Sequence, residues 1–201
     1  MTHLAIFDYG AGNLHSLVKA ISTDKRVISV ETDLRAAMKA DLLVLPGVGA
    51  FGAAANAMRS AQAELGSALA DGLPCLGICL GMQLLFDASE ESPGDGIGFI
   101  AGNVTRLRTS TVPHMGWNDI EWRENGGEAT SHLETAYFAN AYICEPEVES
   151  SILAWTTHED ARFASVVRSA NTVGVQFHPE KSSGTGCAYL NAVIEDLIQC
   201  R

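Results

Sequence analysis

Apolar positions along the chain fall into two rhythms. In the first half, short continuous apolar runs alternate with stretches where apolar side chains recur every three or four residues. Runs at 3–8, 26–31, 41–46 and 74–78 predict strands, the third almost wholly apolar. Residues 13–21 predict a helix with Leu14, Leu17, Val18 and Ile21 on one face, followed by a short helix at 36–39 and a long Ala-rich one at 53–70. Continuous apolar strands separated by amphipathic helices imply a parallel sheet covered on both faces.

The rhythm changes in the second half. Segments 97–107, 117–122, 136–144, 152–156, 162–168 and 172–177 predict successive strands with few helices between them, before a closing helix at 185–199. These read as antiparallel strands extending the sheet. No internal repeat, low-complexity tract or linker interrupts the pattern, and 90–96 and 124–127 read as loops. The expected fold class is therefore α/β: an open, mostly parallel central sheet flanked by helices, with antiparallel strands in the C-terminal half. One domain over 1–201 is expected at this length.

Composition narrows the function. At 47% hydrophobic and 18% charged, the 201 residues suit a soluble domain with a real core. A formal net charge of −11 argues against nucleic-acid binding, which needs Lys and Arg to neutralise phosphates. The N-terminal residues lack a basic region followed by an apolar run, and no segment reaches the roughly 18 apolar residues of a membrane span, so neither export nor membrane insertion is expected. Five irregularly spaced cysteines do not form a disulfide framework. A reducing cytoplasm is the natural compartment, and there a single thiol can be catalytic.

Cys79 is the thiol with catalytic context. Gly77-Ile78-Cys79-Leu80-Gly81 follows an apolar strand and precedes the helix-compatible run Met82-Gln83-Leu84-Leu85-Phe86. This is the strand-to-helix elbow that exposes a nucleophile, and both glycines are needed because the turn is tight and its neighbours are close. A helix starting after Cys79 would point its positive end at the sulfur and favour thiolate. Cys75, Cys144, Cys187 and Cys200 read as structural. Cys75 and Cys79 lie four apart, but no second Cys/His pair completes a metal set, so no metal and no cofactor are expected.

A base and its orienter lie a hundred residues downstream. Val173-Gly174-Val175-Gln176-Phe177-His178-Pro179-Glu180 is a strand ending in a polar cluster, with Pro179 ending the strand. His178 and Glu180, two apart in extended chain, can face the same side, the carboxylate on one imidazole nitrogen and the thiol on the other. Gly47-Val48-Gly49-Ala50-Phe51-Gly52 matches a dinucleotide-binding glycine pattern literally. It follows the third strand rather than the first, however, and Pro46 precedes it. Beside a nucleophile elbow, its free N–H groups and that of Leu80 suit an oxyanion hole.

Together these segments resemble the class-I, triad-type glutamine amidotransferases, over the length of the chain. Asp8-Tyr9-Gly10-Ala11-Gly12-Asn13-Leu14 and Val112-Pro113-His114-Met115-Gly116-Trp117-Asn118 resemble more specifically the branch of glutaminase subunits of imidazole glycerol phosphate synthase. The resemblance implies that Cys79 attacks the glutamine carboxamide, His178 transfers protons and Glu180 holds the imidazole. It also implies that Gln83 and the Gly49 backbone position the amino-acid end of L-glutamine, and that the Gly47–Val48 peptide reorients to complete an oxyanion hole with Gly49 and Leu80. Ammonia would pass through a channel to a (βα)₈-barrel cyclase in a heterodimer, making imidazole glycerol phosphate and AICAR for histidine biosynthesis. Asn13, Met115, Trp117 and Lys181 resemble interface residues, although Met115 and Trp117 would serve equally well as core packing. The chain departs from the family at Tyr137-Phe138-Ala139-Asn140-Ala141-Tyr142, where His-Ser-Tyr or His-Thr-Tyr is usual. The triad leaves open a paralogue feeding another synthase, against which 113–118 argues. A catalytically silent module on the same fold is also open, against which the intact triad and Gln83 argue.

Overall fold

A computed structural model describes residues 1–10, 14–124 and 133–200. The first half builds β1 (Thr2–Phe7), α1 (His15–Ile21), β2 (Arg26–Glu31), α2 (Leu34–Ala37), β3 (Leu42–Leu45), α3 (Phe51–Met58), α4 (Gln62–Ala70), β4 (Cys75–Ile78) and α5 (Leu80–Gln83). The second half builds β5 (Ala88–Ser89), β6 (Gly102–Arg106), β7 (His114–Asp119), β8 (Glu121–Trp122), β9 (Thr135–Asn140), β10 (Tyr142–Pro146), β11 (Ile152–His158), β12 (Ala161–Ser169), β13 (Thr172–Val175) and α6 (Ser183–Gln199).

The main sheet runs β2-β1-β3-β4-β13-β12-β11-β8. Its first five strands are parallel, and β12, β11 and β8 continue it antiparallel. Alternation along the strands explains the continuous apolar runs. Leu4, Ile6, Leu42 and Val44 face Leu17 and Ile21 of α1 and Leu190 and Val193 of α6. Ala5, Phe7, Leu43 and Leu45 face the other side, with Phe51 and Met58 of α3 and Leu65 of α4. Both faces are covered, so both parities must be apolar.

Three expectations change in detail. The helix expected at 53–70 is two helices, with Ala61 at φ −135°, ψ 12° between them. Arg35 takes the Ser60 carbonyl at 2.6 Å and pairs with Glu64, so a distant side chain stabilises the break. The strand expected at 136–144 is two strands that join different sheets, β9 with β7 and β10 with β6 and β5. The second half therefore extends the main sheet with only part of its strands and builds two smaller sheets with the rest. Of 97–107 only Gly102–Arg106 is strand; Ile97 and Phe99 instead donate to the Leu84 and Leu85 carbonyls behind the elbow.

Candidate active site

Chain topology brings residues 79 and 178 together. β13 inserts beside β4 in parallel, with Val175 opposite Ile78, so both strands end at the same edge. The Cys79 N–H donates to the Val175 carbonyl at 2.7 Å, fixing the elbow to the end of β13. Carboxyl ends of parallel strands are the usual location of sites in open α/β sheets.

At the elbow, Cys79 has φ 48° and ψ −104°, a sparsely populated conformation for a residue with a Cβ. Such strain costs of order 1–3 kcal/mol and is held only by its surroundings. The flanking glycines supply those surroundings. A Cβ on Gly77 would sit 2.6 Å from the Gly81 carbonyl oxygen, and one on Gly81 only 1.9 Å from that of Leu45. The helix that follows is much shorter than expected. α5 has four residues, so its summed dipole is small and the sulfur's surroundings are set by side-chain contacts instead.

Those contacts come from the segment after β13. His178 is buried, and its Nδ1 lies 2.8 Å from Glu180 Oε1 on a single 3₁₀ turn, Pro179–Lys181. Burial alone would lower the imidazole pKa. Hydrogen bonds to Cys79 and Glu180, and the charges of both, outweigh it and raise the value to about 9. With Nδ1 committed to Glu180, Nε2 is the nitrogen left for the sulfur. At neutral pH the imidazole is held protonated beside the Cys79 thiol.

The catalytic turn is held from another sheet. The His178 N–H donates to the Tyr137 carbonyl at 2.9 Å, the Tyr137 N–H donates to Ser182 Oγ at 2.9 Å, and the Ser182 hydroxyl donates to the His178 carbonyl at 2.7 Å. β9 thus braces the turn through a closed loop of three hydrogen bonds. Its partner β7 presents Met115 and Trp117 to solvent, 64% and 54% exposed. Core packing is excluded for both residues. Lys181 is also exposed, one residue from Glu180. Asn13 lies outside the described residues.

The Gly47–Gly52 loop stands against the nucleophile. A Cβ on Gly47 would meet His178 Cε1 at 2.9 Å and Cys79 Cβ at 3.0 Å, so there is no room for a side chain between this loop and those two residues. Gly49 has φ +109°. A cavity of about 200 Å³ opens here, lined by Leu14, Pro46, Gly47, Val48, Glu180 and Lys181 among others. Leu80 begins α5 and is buried. Cys79, His178, Glu180, Gly47 and Leu80 thus meet at the ends of β4 and β13, with Val48 and Glu180 lining the same cavity.

Several neighbours carry no assignment in the sequence reading. Tyr9 is buried and its hydroxyl donates to the Pro46 carbonyl, at the head of the Gly47–Gly52 loop. Burial, and then the proximity of Cys79 and Asp8, push its phenol pKa well up. The 90–96 segment is more than a loop. Glu91 Oε2 accepts the Phe51 N–H at 2.9 Å and Ser92 Oγ accepts the Gly52 N–H at 2.8 Å, capping α3, whose own N-cap Ala50 offers no side-chain acceptor. Gln83 is buried and donates to the Tyr142 carbonyl at 3.2 Å. Asn140 donates to the same carbonyl at 3.1 Å, and its buried Oδ1 has no protein partner among the described residues. Gln176, fully buried, places Nε2 3.5 Å from Cys79 Sγ. No cluster of three or more His, Cys, Asp or Glu able to hold a metal occurs among the described residues. No helix among them is long and apolar enough to cross a membrane.

The chain is similar to known proteins. The family model for glutamine amidotransferase class-I matches residues 5–196. The chain is 38% identical over 205 residues to imidazole glycerol phosphate synthase subunit HisH of Gloeothece citriformis, covering 98% of this chain and 97% of that one. It is 40% identical over 194 residues to the subunit of the same name from Pyrococcus furiosus, covering 94% and 97%. In fold it matches a chain of PurLQS from Thermotoga maritima with a TM-score of 0.74 at 16% identity, over 98% of this chain and 100% of that one.

Proposed function

This chain belongs to the class-I glutamine amidotransferase family, and from that premise we propose that it is the glutaminase subunit of an imidazole glycerol phosphate synthase. In this role it makes ammonia from L-glutamine for a (βα)₈-barrel cyclase partner in histidine biosynthesis, in the cytoplasm. The observation that carries the chemistry is the thiol–imidazole–carboxylate contact built across the ends of two adjacent strands.

The Cys79 thiolate attacks the glutamine side-chain carbonyl, forming a C–S bond and a tetrahedral oxyanion. N–H groups of the Gly47–Gly49 loop, once the Gly47–Val48 peptide reorients, and of Leu80 stabilise that charge. One such donor is worth about 2.7–4 kcal/mol of transition-state stabilisation. As the C–N bond breaks, His178 gives its proton to the departing nitrogen and ammonia leaves. A thioester remains. His178, now neutral, takes a proton from water, whose oxygen attacks the thioester. The C–S bond breaks, glutamate departs and the thiolate–imidazolium pair is restored. Glu180 keeps the ring oriented and its charge compensated throughout. Gln83, the Gly49 backbone and the free Asn140 Oδ1 are the polar groups available to the amino-acid end of glutamine. Asn140 stands where the family carries histidine, and its amide supplies both a donor and an acceptor.

Exposed Met115 and Trp117, with Lys181 beside the triad, form the surface for the cyclase. An aromatic and a methionine on one strand face suit an interface core. The cavity lined by Val48, Glu180 and Lys181 is the opening through which ammonia would leave the triad. Reconstitution with the cyclase tests the reading. Glutaminase activity should be low alone and rise strongly when the cyclase and its nucleotide ligand are present. Cys79→Ala should abolish glutamine-dependent turnover while ammonia supplied directly still supports the cyclase. High activity indifferent to the cyclase would overturn the coupling.

A further inference from the structure

Gln176 lies two residues before His178, and both side chains converge on the Cys79 sulfur. Its carboxamide can place either oxygen or nitrogen there, and the surroundings decide which. The Tyr142 carbonyl can only accept, so Gln83 must turn its NH₂ towards it, at 3.2 Å. That same NH₂ lies 3.4 Å from the Gln176 amide, which must therefore present its oxygen to Gln83. The Gln176 NH₂ is left facing Sγ at 3.5 Å, within reach for a hydrogen bond to sulfur. The direction of donation is thus relayed from a backbone carbonyl through two side chains to the thiol. Both glutamines are buried, at 5% and 0% exposure, so water does not compete for these groups.

We propose that Gln176 is a catalytic hydrogen-bond donor to the Cys79 sulfur, locked in its donating orientation by Gln83 and the Tyr142 carbonyl. The thiolate is then held by Gln176 as well as by the His178 imidazolium. The second donor matters most when the thioester breaks. At that moment the sulfur leaves as an anion while His178 is taking a proton from water, and Gln176 stabilises the leaving group without changing its own bonds. The inference rests on Cys79 being the nucleophile, but its test requires no glutamine.

The test is the pH profile of Cys79 alkylation by iodoacetamide on the full chain, read on the Cys79 peptide because Cys187 and Cys200 also react. Gln176→Met preserves volume and removes the donor. Its alkylation midpoint should rise by about one pH unit, with the rate on the acid side of the midpoint falling about tenfold. In the cyclase complex kcat should fall by a similar factor and KM by less than about threefold, since binding contacts are kept. Gln176→Glu, which places an acceptor beside the sulfur, should shift the midpoint further up. An unchanged midpoint in folded Gln176→Met overturns the proposal. Should that variant fail to fold, Gln83→Met decides instead: an upward shift, smaller than a tenfold change in rate, supports the relay, and no shift refutes it. A shifted midpoint in a chain that never turns over glutamine would sustain the donor and sink the glutaminase reading.

Discussion

The proposed nucleophile and base are held by different physics. Cys79 is fixed by sterics that are local in sequence: two glycines within two residues, a strained backbone, and strand ends packed so closely that no Cβ fits. His178 is fixed by hydrogen bonds reaching across sheets, from Tyr137 and Ser182, around a turn of three residues. A steric elbow has one conformation and fails completely when crowded. A hydrogen-bonded turn can lose one contact and persist in a weakened form. The part of the site that must stay rigid is therefore built from backbone crowding, and the part braced by β9 is built from separable contacts.

Crowding the elbow should have the largest effect. In Gly81→Ala the new methyl would lie 1.9 Å from the Leu45 carbonyl oxygen, which is backbone of a central strand and cannot step aside. The expected cost exceeds about 4 kcal/mol, in the range of the most damaging substitutions, so the variant should be largely insoluble or molten. Thermal melts followed by circular dichroism check this. A native-like melt would show that the elbow has slack.

How far this contrast could be read from the chain follows from the same physics. The elbow is legible because its signal is local: Gly77, Cys79 and Gly81 declare both the turn and its crowding. The parallel strands are legible because burial on both faces leaves continuous apolar runs. What escaped was set by distant partners. Nothing in 53–70 signals the break that Arg35 stabilises at Ser60. The division of 136–144 into two sheets depends on which strands they meet. Glu91 and Ser92 sit in a segment that reads as a loop, yet they cap a helix forty residues away. Gln176 lay in view between Val175 and His178, but its role appears only once Gln83 and Tyr142 fix its amide.

Loosening the base side should cost less. Ser182→Ala removes the acceptor of the Tyr137 N–H and the donor to the His178 carbonyl, leaving a part-buried backbone N–H unpaired. A loss of about 1–3 kcal/mol is expected, with the fold intact and kcat lowered through a less ordered His178. Denaturant unfolding and steady-state kinetics together test it. A loss as large as that of Gly81→Ala would erase the distinction between the two sides.

The imidazole itself adds a pH signature. Its pKa is raised from about 6.5 unfolded to about 9 folded. The folded state thus holds the proton more tightly. That stability is fully present below about pH 6.5 and is lost as pH rises through about 9. The stability difference between the parent and His178→Gln should therefore shrink between pH 7 and pH 10. Taking the difference cancels groups that titrate alike in both proteins. A gap that widens with pH would mean the imidazole is buried neutral.

The smallest effect on the chain alone should come from the face beyond the base. Trp117 is 54% exposed and lies opposite Tyr137, whose carbonyl receives the His178 N–H. Trp117→Ala removes a side chain that supports no core contact, so stability should change by no more than about 0.5 kcal/mol. Binding is another matter. If β7 meets the cyclase as proposed, truncating this large exposed aromatic should cost about 2 kcal/mol or more, roughly a thirtyfold weaker complex. Titration of the cyclase against parent and variant separates the two effects. Activity at saturating cyclase then says whether Trp117 only holds the partner or also transmits its arrival. Recovery of full kcat would confine it to affinity. A persistent deficit would mean that the β7–β9 pair carries the partner's influence through Tyr137 to the catalytic turn.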